Sequence, residues 1–403
     1  MGKLNVNCNN QTLPAVRKSN ELVARKKKYN AVLLALFCFT SLIFPFCGRT
    51  QRVAPEPAAS QESHAGPVKW HPGHYYMLVG NGKSEPDYMK QVYAELQATP
   101  ALLGLQVRYS WRELEPVKGN YDFTSVDKLL AELAAQKKRL VILLQIKSFD
   151  ADPAYSPVPE YAKGAAYSGG IFAFSNVNKT VIRGYGTKLW NQNIYDRMVA
   201  LVEKLGQSYN SNPYFEGIGF SESAFGQPYP KNSILLADSV KFYDNVIGLN
   251  RQLRTSFPNT MTYQFTNYPR NVLEKFVRNF KELGIALGGP DIFMTDKGLQ
   301  TTAPPKGIYH YYPELSGIVP LAPSIQHQNF RNTQHDGKGY QPTLPQLLSF
   351  ARDTLKANYL FWTRDQDFYP QVLELLNASA QRDKPAGGLD PNCPSAYSSC
   401  NTE

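Results

Sequence analysis

Two carboxylates in this 403-residue chain stand where proton transfer could use them: Glu222 in "GFSESAFG" and Asp291 in "GGPDIF", each at the point where an apolar, strand-like run stops. A carboxyl group at such a point is partly desolvated, which raises its pKa toward neutrality and fits it to carry a proton. Phe220 and Phe225 flank Glu222, and the glycines before Asp291 would let a substrate approach closely. The plainer alternatives are a solvated strand end for Glu222 and a turn aspartate after Pro290 for Asp291. Other strand-like runs end in Arg108 and Trp111, in Gln145 and Lys147, in Gln264 and Asn267, in Gln326 and His327, and in Trp362, Arg364 and Asp365. Amides and carboxylates mixed with aromatic faces suit a sugar, whose C–H faces stack and whose hydroxyls share hydrogen bonds. Phosphate or nucleotide chemistry would ask for more cations.

Those residues meet only if the runs that carry them lie side by side. Eight strand candidates follow one another: "HYYMLVG", "LLGLQVRYSW", "RLVILLQI", "FEGIGFSE", "TMTYQFTN", "IALGG", "GIVPLAPSIQ" and "ANYLFW". "RLVILLQI" is apolar on both faces, as a parallel strand buried between layers must be. Helical stretches such as "SVDKLLAELAAQKK" and "NVLEKFVRNFKELG" separate the runs, and the weakest helix follows the sixth strand. The alternation predicts an α/β chain, a single (β/α)8 TIM barrel over 70–380, with functional residues at the carboxyl ends of its strands. An open doubly wound sheet is the rival, but "GNGKSEPD" after the first strand lacks the glycine spacing of a phosphate-binding turn. A Gly/Tyr/Ser-rich insertion near 150–186 has the size of a functional loop or lid.

One passage is long enough to be distinctive. "VRYSWRELEPVKGNYDFTSVDKLL" resembles the second-strand region of the (β/α)8 glycoside hydrolases grouped as clan A: Arg108 ends the strand, and Trp111, Glu115, Pro116, Gly119, Tyr121, Asp122 and Phe123 follow. "ANYLFW" resembles the eighth strand of that superfamily, whose terminal tryptophan, here Trp362, floors the sugar site. The resemblance implies glycosidase activity with Glu222 as general acid/base, although Ser221 stands where an asparagine is usual. It also implies a second catalytic glutamate at the end of strand seven, where "LAPSIQHQNF" offers Gln326 and His327 instead. Asp291 is the preferred substitute, ahead of Glu314 and Asp365, while Glu115 reads as a local structural residue. Arg108, Trp111, Gln264, Asn267, Gln326, His327 and Trp362 are the expected substrate contacts. Tyr309, His310, Tyr311 and Tyr312 either edge the cleft or pack a loop. Two rival readings remain: a sugar-binding protein whose chemistry has decayed, and an envelope protein using the barrel as an interaction platform.

The net charge of +10 is concentrated at one end. Residues 1–53 carry nine Lys/Arg against Glu21 alone, leaving the other 350 residues at +2, which argues against a nucleic-acid-binding face. The cluster "RKKKYN" runs into the uncharged "AVLLALFCFTSLIFPFC", the order of an export signal or membrane anchor. A Pro/Ala/Ser-rich linker (54–69) follows. The expected location is periplasmic, extracellular or anchored facing outward, with membrane contact through the N-terminal segment alone. In the tail, 381–403, Cys393 and Cys400 either close a small loop or stand as free thiols. With six scattered histidines and neither CxxC nor HExxH, neither a metal nor an organic cofactor is expected.

Overall fold

The computed structural model describes residues 66–403 apart from Asn81 and 177–179, so the expected signal or anchor lies outside the described residues. The eight predicted runs form eight parallel strands: β1 (Gly73–Leu78), β2 (Leu102–Ser110), β3 (Arg139–Gln145), β4 (Phe215–Phe220), β5 (Met261–Phe265), β6 (Ala286–Gly289), β7 (Leu321–Ile325) and β8 (Tyr359–Thr363). Each pairs with its neighbours in chain order, and β8 pairs with β1 to close the barrel. Helices α1 (Pro86–Ala98), α2 (Thr124–Ala135), α3 (Gln192–Tyr209), α4 (Leu236–Ser256) and α5 (Leu273–Leu283) follow the first five strands. After β6 come a four-residue helical turn (Lys297–Gln300), a 3-10 turn and the five-residue α6 (Tyr311–Leu315); α7 (Leu344–Ser349) and α8 (Tyr369–Asn377) complete the ring.

The pleat divides the core in two. Leu105, Val107, Leu140, Ile142, Leu144, Ile218 and Phe220 face the helices, as an all-apolar buried strand requires. Tyr75, Met77, Val141, Leu143, Met261, Tyr263, Phe265 and Phe361 fill the barrel interior. Gly219 makes room for this packing, since a Cβ there would lie 2.2 Å from the Tyr263 carbonyl and 2.5 Å from its ring. Tyr263 in turn donates to Ile142 O at 2.9 Å and accepts from Gln106 Nε2 at 3.0 Å, filling the layer just beneath Arg108.

Both ends of the described chain close the amino-terminal side of the barrel. Val68–Lys69 pairs in parallel with Cys400–Asn401, and Cys393 and Cys400 are joined by a disulfide. Residues expected at the end of a linker and in a tail are therefore part of the folded body. Trp70 is buried edge-on against Tyr359, 5.3 Å between ring centres, and its Nε1 donates to Pro391 O. Lys69 donates to the carbonyls of Asn210 and Asn212. At the centre of this end Glu216, fully buried, accepts from the His71 backbone N–H (2.8 Å), pairs with His71 Nδ1 (2.8 Å) and accepts from the Tyr359 hydroxyl (2.7 Å). Burial alone would raise its pKa, but the bonds from His71 and Tyr359 outweigh it and hold the carboxyl below its ordinary range.

Glu216→Ala removes one acceptor shared by three donors and leaves His71 Nδ1 and the Tyr359 hydroxyl without the partner that answers them. The expected loss is about 3–5 kcal/mol of unfolding free energy, read from urea denaturation.

Candidate active site

The carboxyl ends of the strands surround a mouth open to solvent and lined by Arg108, Gln145, Lys147, Phe149, Ser221, Glu222 and Gln326 over a floor of Leu143 and Phe265. Glu222 is held there by its two neighbours. Ser221 accepts from the Ile146 N–H with its hydroxyl and donates its own N–H to Leu144 O; Ser223 donates through its N–H to Phe265 O and through its hydroxyl to Tyr268 O. The serines thus tie the segment after β4 to the strands on either side, and the Glu222 side chain, 21% exposed, reaches the mouth.

There it meets Lys147, whose Nζ donates to Glu222 Oε2 at 2.6 Å and to Ala224 O at 2.6 Å, and lies 4.8 Å from the centre of the Phe149 ring. Lys147 is legible in the sequence as a lone cation just past the apolar β3 run, yet only the fold makes it the direct partner of Glu222. It also opens a four-stranded antiparallel sheet in which Lys147–Ser148, Gly184–Thr187, Ile171–Ser175 and Gln227–Pro228 lie side by side. The insertion expected to be a lid supplies two of those strands, on the mouth side of the barrel.

Arg108 and Gln326 meet across the mouth, Nη2 to Oε1, at 3.3 Å. Asp291, half-buried just past β6, feels the same charges. Burial and the Glu222 carboxylate push its pKa up to about 7, with Lys147 and Arg108 working against them. Its backbone is fixed by Tyr309, whose hydroxyl donates to Asp291 O at 3.1 Å and accepts from the Phe293 N–H. Tyr309, Tyr311 and Tyr312 are all buried. The aromatic cluster is a packed support behind Asp291 rather than an edge of the cleft.

Three expected sugar contacts lie elsewhere. Trp362 is fully buried on the outer face of β8, donates to His74 Nδ1 at 3.1 Å and packs near Phe330; the inward residue is Phe361. Gln264 is fully buried on the outer face of β5 and donates to Ser221 O at 2.7 Å. Trp111 is buried too, its Nε1 bonded to Glu115 Oε2 at 2.7 Å, and Glu115 also accepts from the Gly119 N–H and pairs with Arg197. Asn267 sits at the end of β5, where its Oδ1 accepts from the next residue's N–H.

The rim holds a second cluster. His327, 48% exposed, bonds through Nδ1 to Asp365 Oδ2 at 2.6 Å, and Arg331 grips both Asp365 and Asp367. Burial would raise the Asp365 pKa, but the bonds from Arg331 and His327 prevail and hold it at about 2. Asp365 is committed to that network, and Glu314 pairs with His310 at 2.8 Å. Among the described residues no three His, Cys, Asp or Glu side chains converge as metal ligands.

No protein-family model matches the sequence, and no curated protein matches it. Solved structures do share its architecture. The catalytic domain of a β-amylase from Paenibacillus polymyxa superposes with a TM-score of 0.51 at 8% identity, over 74% of this chain and 93% of that one. A β-galactosidase from Bacillus circulans sp. alkalophilus gives 0.50 at 13% identity, over 73% of this chain and 50% of the other. The shared fold is the (β/α)8 barrel.

The raised pKa of Asp291 has a consequence for stability. The folded protein holds this proton up to about pH 7 and the unfolded chain loses it near the ordinary 3.8, so the group's contribution to stability falls as pH rises through that window. Asp291→Asn should therefore raise the melting temperature by about 2–4 °C or more at pH 8, with little change at pH 4.

Proposed function

We propose that the chain is an exported glycoside hydrolase, cleaving O-glycosidic bonds of an oligo- or polysaccharide at the barrel mouth. The observation that carries this reading is two unlike carboxyl groups close enough to feel each other's charge: Glu222, in the mouth and ion-paired with Lys147, and Asp291, just past β6, with its proton held to about pH 7. Raising the pKa of one acid beside an ion-paired carboxylate separates a proton donor from a carboxylate, the division of labour that glycoside hydrolysis needs. The clan A resemblance of the second-strand region supports it, as does the fold shared with the β-amylase and β-galactosidase domains.

Asp291 gives its proton to the leaving glycosidic oxygen as the C–O bond breaks. The Glu222 carboxylate faces the positive charge developing at the anomeric carbon. Water supplies the new hydroxyl and returns a proton to Asp291. These roles reverse the assignment implied by the resemblance, in which Glu222 carries the proton. The reason is local: burial and the nearby Glu222 charge favour the Asp291 proton, while Glu222 is engaged by the Lys147 ammonium at 2.6 Å.

A second reading, sugar binding without turnover, draws on one observation. Gln326 stands at the end of β7, where the resemblance implies a glutamate, and an amide cannot serve as nucleophile or base. Purified protein screened against a panel of neutral and acidic glycans separates the two. Hydrolysis is expected, with kcat/KM falling as pH rises through about 7, and with Asp291→Asn and Glu222→Gln each lowering kcat about 10²- to 10⁴-fold. Binding with no product in wild type and both variants would favour the second reading.

A further inference from the structure

Arg108 is the mouth cation that the protein itself answers least. Lys147 has Glu222 and the Ala224 carbonyl, each at 2.6 Å; Arg364, behind the barrel wall, holds Glu95 through two bonds of 2.7 and 2.8 Å; Arg331 on the rim holds Asp365 and Asp367. Among the described residues Arg108 makes no ion pair, its bond to Gln326 is long at 3.3 Å, and its Nε is buried with no partner. Burial lowers its pKa, and the neighbouring Glu222, Tyr263 and Asp291 do not fully offset that cost. A second guanidinium, the exposed Arg183, makes no ion pair among the described residues and stands 5.9 Å from the ring of Phe149, which lines the same mouth. When Asp291 holds its proton, Arg108 and Lys147 face Glu222 as the one charged carboxylate of the pair.

A guanidinium presents its N–H donors in a planar fork, and the two coplanar oxygens of a carboxylate match that fork better than the scattered hydroxyls of a neutral sugar. We propose that the mouth takes an acidic sugar: a uronate whose carboxylate docks on Arg108, within a carboxylate-bearing glycan whose further charges pass Arg183. This rests on the carbohydrate reading of the same mouth and narrows its substrate class.

Isothermal titration of the full chain tests it, with oligogalacturonate, oligomannuronate and hyaluronan fragments, each against its carboxyl-reduced counterpart, and with a sulfated neutral glycan. At least one uronate should bind about tenfold or more tightly than its reduced form, with affinity that weakens as salt is added. Arg108→Gln should abolish that preference. Arg183→Gln, an exposed change that leaves the core untouched, should weaken uronate binding about two- to fivefold. Equal or tighter binding of the reduced forms, or preference for the sulfate ester, overturns the inference. A neutral glycan bound and cleaved would leave the proposed hydrolase standing while removing its acidic substrate; no binding to any of these glycans would remove both.

Discussion

A strand in a closed parallel barrel sends successive side chains alternately toward the axis and toward the helices, and this two-residue period governs which chemistry reaches the mouth. Arg108 and Gln326 fall on the inward phase of β2 and β7 and meet across the opening. Gln264 and Trp362 fall on the outward phase of β5 and β8, one bonded to the Ser221 carbonyl and the other to His74. Shifting any of these by one position would exchange a ligand-facing group for a packing group. The interior phase is filled with Tyr75, Tyr263, Phe265 and Phe361, so the barrel is a solid support beneath the site and ligand space is confined to the strand ends.

On that support the electrostatics of the mouth follow from how few charges share it. Lys147, reached by extending β3 beyond the barrel into the antiparallel sheet, fixes Glu222. Glu222 and burial together act on Asp291, whose backbone is pinned by Tyr309 from the segment leading into α6. Each carboxyl group is thus set by residues from other parts of the chain. The rim network of His327, Arg331, Asp365 and Asp367 answers its own charges and leaves Arg108 as the cation open to a ligand.

The opposite end of the barrel shows the contrasting use of a carboxylate. Glu216 is as buried as any residue in the protein, and each of its oxygens meets donors from His71 or Tyr359. It closes the floor together with Trp70 and the Cys400–Asn401 strand. A fully answered acid at the amino ends of the strands serves folding; an incompletely answered set of charges at the carboxyl ends is where a fold of this kind places its chemistry.

The sequence by itself determined the eight strands, their parallel alternation with helices and the weak helical segment after β6, because these are local consequences of apolar runs and spacing. It also marked Glu222, Asp291, Arg108, Lys147 and Gln326 as residues at strand ends. What only the tertiary structure decided is which of those ends face inward, because a run apolar on both faces carries no period from which to read its phase. For the same reason Trp111, Gln264 and Trp362 looked like sugar contacts and are packing or backbone-bonding residues. The partners of each charge were equally hidden: Lys147 and Glu222 are 75 residues apart in the chain, and their meeting depends on β3 and β4 lying side by side with the segments beyond them turned over the mouth.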